Sequence, residues 1–250
     1  MPQTTILPVF DTRAAGTRAP LRLICLPHAG GGSHMFADWP VWLSGVADVC
    51  PAHLPGRGAR HAEAPYTNVA AAVAAIVEGL LPLCDRPVAL FGHSMGALLA
   101  FETARAIGAR GHPVQTLIVA GSPAPHVPPR REAIWNLPLD AFVERLRDYD
   151  GTPPELLSDA EMMALVLPYL RADFQMVDTY APSPGPPLEC PIFAFAGKDD
   201  ESVVIEDVRQ WGGQTRGRFA MQVVPGGHFF IRSSEVQVLR ALERILTHLT

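Results

Sequence analysis

The chain has 250 residues, 48% apolar and 18% charged, a balance that builds a core and excludes a disordered chain. Its 20 basic residues against 25 acidic ones leave a formal charge of −5, which offers no electrostatic footprint for nucleic acid. Four cysteines with no C-x-x-C spacing make no disulfide scaffold and read as reduced thiols of a cytoplasmic protein.

The first twenty residues include Asp11 and Pro20 and lack the basic start and apolar run of a signal peptide. Residues 21–26 form the first short apolar run, which reads as a buried strand, and a glycine-rich loop follows it. Residues 49–54 are a second strand. Over 67–81, Val69, Val73, Ile76, Val77 and Leu80 fall on one face of a helix. The strand 88–91 runs almost directly into a helix over 95–110. A further strand spans 117–120. It lies in the longest uncharged stretch, 113–129, whose prolines exclude a membrane span. Residues 192–196 and 219–224 are the remaining strands, and 235–249 is a terminal helix. Such alternation predicts one α/β domain over 1–250, with a mostly parallel central sheet and helices on both faces.

One segment breaks the alternation. Residues 123–187 hold 12 of the 25 prolines and no strand pattern. Leu139, Phe142, Val143 and Leu146 share a helical face. Thr152-Pro153 reads as a helix start, and Ser158-x-x-Glu161 as a capping box. Pro168 is expected to kink or split the helical stretch after that box, and Phe174, Val177 and Tyr180 continue an apolar stripe. A helical insertion between strands of a parallel sheet predicts a lid over its carboxyl edge, where α/β proteins bind ligands.

Gly92-His93-Ser94-Met95-Gly96 is a G-x-S-x-G motif between a strand and a helix. That placement makes Ser94 a candidate nucleophile on a sharp elbow, exposed at a helix N-terminus. A serine nucleophile needs a base and an orienting acid. Of the downstream histidines, His228 in Pro225-Gly226-Gly227-His228-Phe229-Phe230 directly follows the last strand. His112, His126 and His248 read as solvated, and His93 should point away from the exposed Oγ. The acid loop after 192–196 offers Asp199, Asp200 and Glu201. Asp200 is preferred, with Asp199 the alternative. An anionic tetrahedral intermediate needs two N–H donors. Met95 supplies one, and loop 27–33 supplies the other, through Ala29 or, second, Gly30. That loop is neither a G-x-G-x-x-G nor a Walker pattern. No H-E-x-x-H or Cys/His spacing suggests a metal. No cofactor is expected.

Pro27-His28-Ala29-Gly30-Gly31, Leu54-Pro55-Gly56-Arg57, the G-x-S-x-G motif and Gly226-Gly227-His228-Phe229-Phe230 together resemble the type II thioesterases. These are stand-alone α/β-hydrolases that accompany polyketide synthases and nonribosomal peptide synthetases. The resemblance implies an α/β-hydrolase fold with a Ser94–Asp200–His228 triad and a lid. It also implies hydrolysis of acyl thioesters from the phosphopantetheine arm of an acyl or peptidyl carrier protein, in an editing role. One departure is Lys198-Asp199-Asp200, where the family often has Asp-x-Asp. A carboxylesterase would share the same triad and is separated in sequence only by this set of motifs, and an acyltransferase, passing the acyl group to an alcohol or amine, is a further alternative. A non-catalytic docking module is disfavoured by the intact Ser94, His228 and acid loop.

The lid is expected to roof an apolar acyl chamber lined from Phe142, Leu146, Met162, Met163, Leu170 and Phe174, with Phe229 beside the base. Because the chain is itself acidic, a carrier would dock on a local basic patch. Arg57 and Arg60, or Arg130 and Arg131, are the candidates.

Overall fold

The computed structural model describes residues 9–10, 19–147, 157 and 159–249, apart from the Ala160 side chain. Six strands form one sheet: β1 (Leu21–Leu26), β2 (Ala47–Pro51), β3 (Val88–His93), β4 (Thr116–Ala120), β5 (Ile192–Gly197) and β6 (Phe219–Val224). All neighbours pair parallel, in the order β2-β1-β3-β4-β5-β6. Eight α-helices are described: α1 (Trp39–Trp42), α2 (Val69–Leu80), α3 (Met95–Gly108), α4 (Leu139–Arg147), α5 (Ala160–Asp178), α6 (Ile205–Arg209), α7 (Phe230–Ser233) and α8 (Glu235–Thr247).

The apolar runs of the inner strands follow from burial on both sheet faces. In β1, Ile24 and Leu26 pack toward α2 and α3, while Leu21, Leu23 and Cys25 pack toward α1 and α8. Side chains alternate along a strand, so a strand covered on both faces must be apolar nearly throughout. The exception in β1 is Arg22, which is paired with Asp85. β2 begins and ends earlier than hydrophobicity suggests, because its register against β1 pairs Leu21 with Ala47 and Cys25 with Pro51.

The chain order reverses beside β1, which lies between β2 and β3. Register aligns the carboxyl ends of the central strands: Leu26 pairs with Gly92, His93 with Ala120, and Gly197 with Val224. The loops leaving these ends therefore converge on one edge of the sheet.

Between β4 and β5, α4 and α5 build a cluster of their own around Ile134, Phe142, Leu146, Leu157, Met163, Leu170 and Phe174. Two expectations change here. The N-cap of α5 is Asp159, whose side chain accepts from the Glu161 and Met162 N–H groups, one residue beyond the expected cap. Ser158 itself, like Thr152-Pro153, lies outside the described residues. Pro168 does not split the helix, which continues through it from Ala160 to Asp178. The turns on either side anchor Met163, Leu170 and Phe174 in the same cluster, which offsets the lost backbone bond.

Candidate active site

Ser94 follows β3 directly and begins α3. Its φ of 54° is the one positive value among described non-glycine residues. Such backbone costs about 1–3 kcal/mol and persists only where its surroundings over-determine it. The surroundings are very close. A Cβ on Gly92 would lie 2.1 Å from the Gly96 carbonyl oxygen, and one on Gly96 would lie 2.1 Å from that of Leu26. Both motif glycines are thus required by backbone contact, and Ser94 N–H is tied to the Ala120 carbonyl at 2.8 Å.

The three loops bring one hydrogen-bonded chain together. Ser94 Oγ lies 3.0 Å from His228 Nε2, and His228 Nδ1 lies 2.8 Å from Asp200 Oδ2. The other oxygen, Asp200 Oδ1, accepts from Ser202 N–H, Ser202 Oγ–H and Val203 N–H at 2.9, 2.7 and 3.0 Å. Burial alone would raise the Asp200 carboxyl, but the bonds from His228 and Ser202 hold it below the ordinary carboxylate value. It is therefore ionised at neutral pH and faces Nδ1–H. Asp199, the alternative acid, turns the other way. Its carboxylate accepts from Gly226 N–H at 3.2 Å, tying the acid loop to the loop that carries His228.

Two further histidines surround His228. His93 is fully buried and donates from Nε2 to the His228 carbonyl at 2.8 Å. Its burial, with His228 and His28 beside it, holds its pKa well below the ordinary value. His28 donates from Nδ1 to the Ala29 carbonyl at 2.8 Å. Burial lowers its pKa to about 4. Both rings are therefore neutral at neutral pH. His228 is the one imidazole of the three with a carboxylate partner. Phe229 packs edge-on against His28 and His228, with centroids at 4.8 and 5.1 Å. His112, His126 and His248 are exposed.

On the donor side, the Ala29 and Met95 N–H groups find no hydrogen-bond acceptor among the described residues. The Gly30 N–H does: it donates to Asp173 Oδ2 at 2.8 Å. Loop 27–33 therefore has Ala29, and not Gly30, available to a ligand beside Ser94.

A cavity of about 340 Å³ opens on Ser94, His228, Ala29 and Met95. Leu146, Leu170, Phe174 and Phe229 line it, together with Leu98, Val177 and Val203. Phe142, Met162 and Met163 do not. Phe142 and Met163 face the cluster between α4 and α5, and Met162 is 44% exposed. Met162 lies about 100° around α5 from Met163, off the face that Met163, Leu170 and Phe174 share, while Met163 is on that face but about two turns before Leu170, where it meets the cluster instead of the cavity.

The expected basic patch is also revised. The Arg57 side chain is only 8% exposed, with Nη1 and Nη2 donating to the two oxygens of Asp173 at 2.5 and 2.6 Å. Arg60 is buried against Glu63 and the His53 carbonyl. Neither is a free surface charge. Arg130 and Arg131 line the cavity wall, paired with Asp207 and Asp178. Of these features, Ser202 had a local signal in Asp200-x-Ser202, a spacing that favours side-chain-to-backbone turns. The Arg57–Asp173 pair had none, being 116 residues apart.

Comparison with known proteins points to one family. The thioesterase domain family profile matches residues 21–246. The gramicidin S biosynthesis protein GrsT of Aneurinibacillus migulanus is 42% identical over 232 residues, covering 92% of this chain and 90% of that protein. The type II thioesterase BorB from the borrelidin cluster superposes with a TM-score of 0.85 at 32% identity, covering 95% of this chain and 96% of its own. RedJ, a thioesterase of the prodiginine pathway in Streptomyces coelicolor, gives 0.85 at 38% identity, covering 97% and 91%. No described helix is long and apolar enough to cross a membrane. With the family profile spanning the sheet and each loop at its carboxyl edge, the chain belongs to the thioesterase family.

Proposed function

We propose that this thioesterase hydrolyses acyl groups from the phosphopantetheine arm of an acyl or peptidyl carrier protein, editing stalled units of a polyketide or nonribosomal peptide synthase. The observation that carries the catalytic reading is the Ser94–His228–Asp200 hydrogen-bond chain opening into an apolar cavity. Ser94 Oγ attacks the thioester carbonyl while His228 Nε2 accepts its proton. The ionised Asp200 fixes the Nδ1–H tautomer and stabilises the imidazolium. The carbonyl oxygen becomes an anion held by the Ala29 and Met95 N–H groups, with the positive end of α3 behind it. The C–S bond then breaks, and the proton on His228 Nε2 passes to the departing sulfur, which returns the imidazole to its neutral form. A thiol with pKa of about 8.5 leaves as thiolate more readily than an alkoxide, so it needs less general-acid help. Water, giving its proton to the neutral His228, attacks the acyl-Ser94 carbonyl; the bond to Ser94 Oγ then breaks, Oγ takes the proton back from His228, and the acid is released.

Segment 123–187 serves as the lid in this reading. The acyl group lies along Leu170, Phe174 and Phe229, and the arm enters past Arg130. The relatives support the pathway role: GrsT is named for gramicidin S biosynthesis and BorB for the borrelidin cluster. Of the four arginines considered for carrier docking, Arg130, paired with Asp207, is the most exposed, with 61% of its side chain accessible, and it is the group that meets an acidic carrier in this reading.

The test compares one acyl group on a carrier protein and on N-acetylcysteamine, in wild type and Ser94→Ala. Ser94→Ala should lose at least about 10³ in kcat while keeping its circular dichroism. The carrier-bound substrate should show the higher kcat/KM, and that value alone should fall with salt. Equal efficiency and equal salt response on both substrates would remove the carrier from the proposal. Retained turnover in folded Ser94→Ala would remove the nucleophile.

A further inference from the structure

Asp173 lies in the middle of the lid helix α5 with no exposed surface, yet it carries a carboxylate. A buried charge is retained only with excellent partners. Its partners are all at the foot of the sheet edge. Arg57 approaches it with both terminal nitrogens, Gly30 N–H donates to Oδ2, and Arg57 Nη1 also donates to the Gly31 carbonyl at 3.0 Å. The guanidinium lies over the Tyr169 ring at 4.6 Å, so one helix holds it on two sides. The loop is pressed against that helix: a Cβ on Gly30, whose φ is +80°, would meet Leu170 Cδ1 at 2.7 Å.

These contacts surround Ala29. Gly30 and Gly31, the two residues after it, are fixed through Asp173 and Arg57. Leu170 and Phe174, one turn or less from Asp173 on the same helix, line the acyl cavity. The wall that touches the acyl chain and the loop that presents the Ala29 N–H are therefore joined by one ion pair. We propose that Arg57 and Asp173 are positioning residues that couple the seating of α5 to the assembly of the oxyanion donor. This rests on the proposed role of Ala29 beside Ser94. A lid helix displaced from the chamber would take Asp173 with it, release Gly30 N–H and Arg57, and leave the loop free to turn its N–H away. Acyl binding that seats α5 would restore the donor, so binding energy from the acyl chain would appear in the chemical step.

Asp173→Asn and Arg57→Lys test this. Asparagine keeps one acceptor but loses the charge-assisted fork, and lysine cannot engage both Asp173 oxygens and the Gly31 carbonyl from a fixed plane. Hydrolysis of an acyl-N-acetylcysteamine should lose about 10²–10³ in kcat in Asp173→Asn, the range for one oxyanion donor, with KM changed less than about threefold. Arg57→Lys should fall in between. An acyl trifluoromethyl ketone, which forms an oxyanion on Ser94, should lose affinity in parallel with kcat. The non-hydrolysable thioether of the same acyl chain should bind as before. If Asp173→Asn does not fold, the double variant Arg57→Met/Asp173→Leu, which strands no charge, carries the same measurements. A folded variant with kcat within about threefold of wild type overturns the proposal, as does a loss of kcat without loss of ketone affinity. Failure of the catalytic reading itself would show separately, as turnover retained by Ser94→Ala.

Discussion

The approach of the elbow to loop 27–33 rests on one missing methyl group. A Cβ on Gly96 would lie 2.1 Å from the Leu26 oxygen, 2.6 Å from its carbonyl carbon and 2.8 Å from the Pro27 oxygen. All three are backbone atoms, so no side chain can swing aside. Restoring a 3.4 Å contact requires α3 and the end of β1 to part by roughly 1.3 Å. Leu26 and Pro27 lead directly into His28 and Ala29, so that displacement separates Ser94 from the Ala29 N–H. Misplacement of about 1 Å is worth about 10² in rate. Overpacking of this kind costs about 1–3 kcal/mol, and each kcal/mol lowers Tm by about 2–4 °C in a chain of this size. Gly96→Ala should therefore lose about 10² in kcat and several degrees in Tm, read by thiol release from an acyl-N-acetylcysteamine and by thermal unfolding. Gly108→Ala, whose added Cβ meets nothing within 4 Å at the end of the same helix, is the control and should match wild type or exceed it in Tm. Gly96→Ala with unchanged Tm and kcat within about threefold of wild type would refute the reasoning.

The remaining predictions concern the acid, the buried imidazoles and the lid. Asp200→Asn should lose up to about 10⁴ in kcat through loss of the ionised partner of His228, while Asp199→Asn, which touches only Gly226 N–H, should stay within about tenfold. The reverse order in a kcat comparison would reassign the acid. His28 has a pKa of about 4 when folded against an ordinary 6.5, so the unfolded chain binds its proton first as pH falls. Stability from this group is complete above 6.5 and is lost between 6.5 and 4, by about 3 kcal/mol in total. His28→Asn should flatten the dependence of Tm on pH across that window, and an unchanged slope would show that His28 is not the group responsible. Phe174→Ala should enlarge the cavity and shift preference toward longer or bulkier acyl groups in a chain-length series, with activity on the shortest substrate little changed.

Local patterns were legible wherever a neighbour in sequence is also the neighbour in space. The strand 21–26 matches β1 residue for residue, because a strand buried on both faces is marked by its apolar run. The strand 219–224 matches β6, an edge strand whose run is bounded by Arg218 and Pro225. The G-x-S-x-G elbow was legible because its two glycines are demanded by contacts within a few residues of the motif and with the adjacent strand. Where β2 starts depended instead on its register with β1, and where α5 starts depended on which of two adjacent polar residues turns back onto the helix.

The sequence by itself determined the alternation of strands and helices, and it singled out Ser94 as the candidate nucleophile, the histidine loop and the two adjacent acids, since each is a short motif at a strand end. Tertiary structure decided which acid reaches His228, which donor in loop 27–33 remains free, and which faces of α5 meet the cavity. It also turned Arg57 from an apparent surface charge into the partner of the buried Asp173. The physical reason is the same in each case. Hydrogen-bond partners and burial are assigned by distance in space, and residues 28, 57, 94, 173, 200 and 228 become neighbours only when parallel strands bring their carboxyl ends to one edge and the helix between β4 and β5 closes over them.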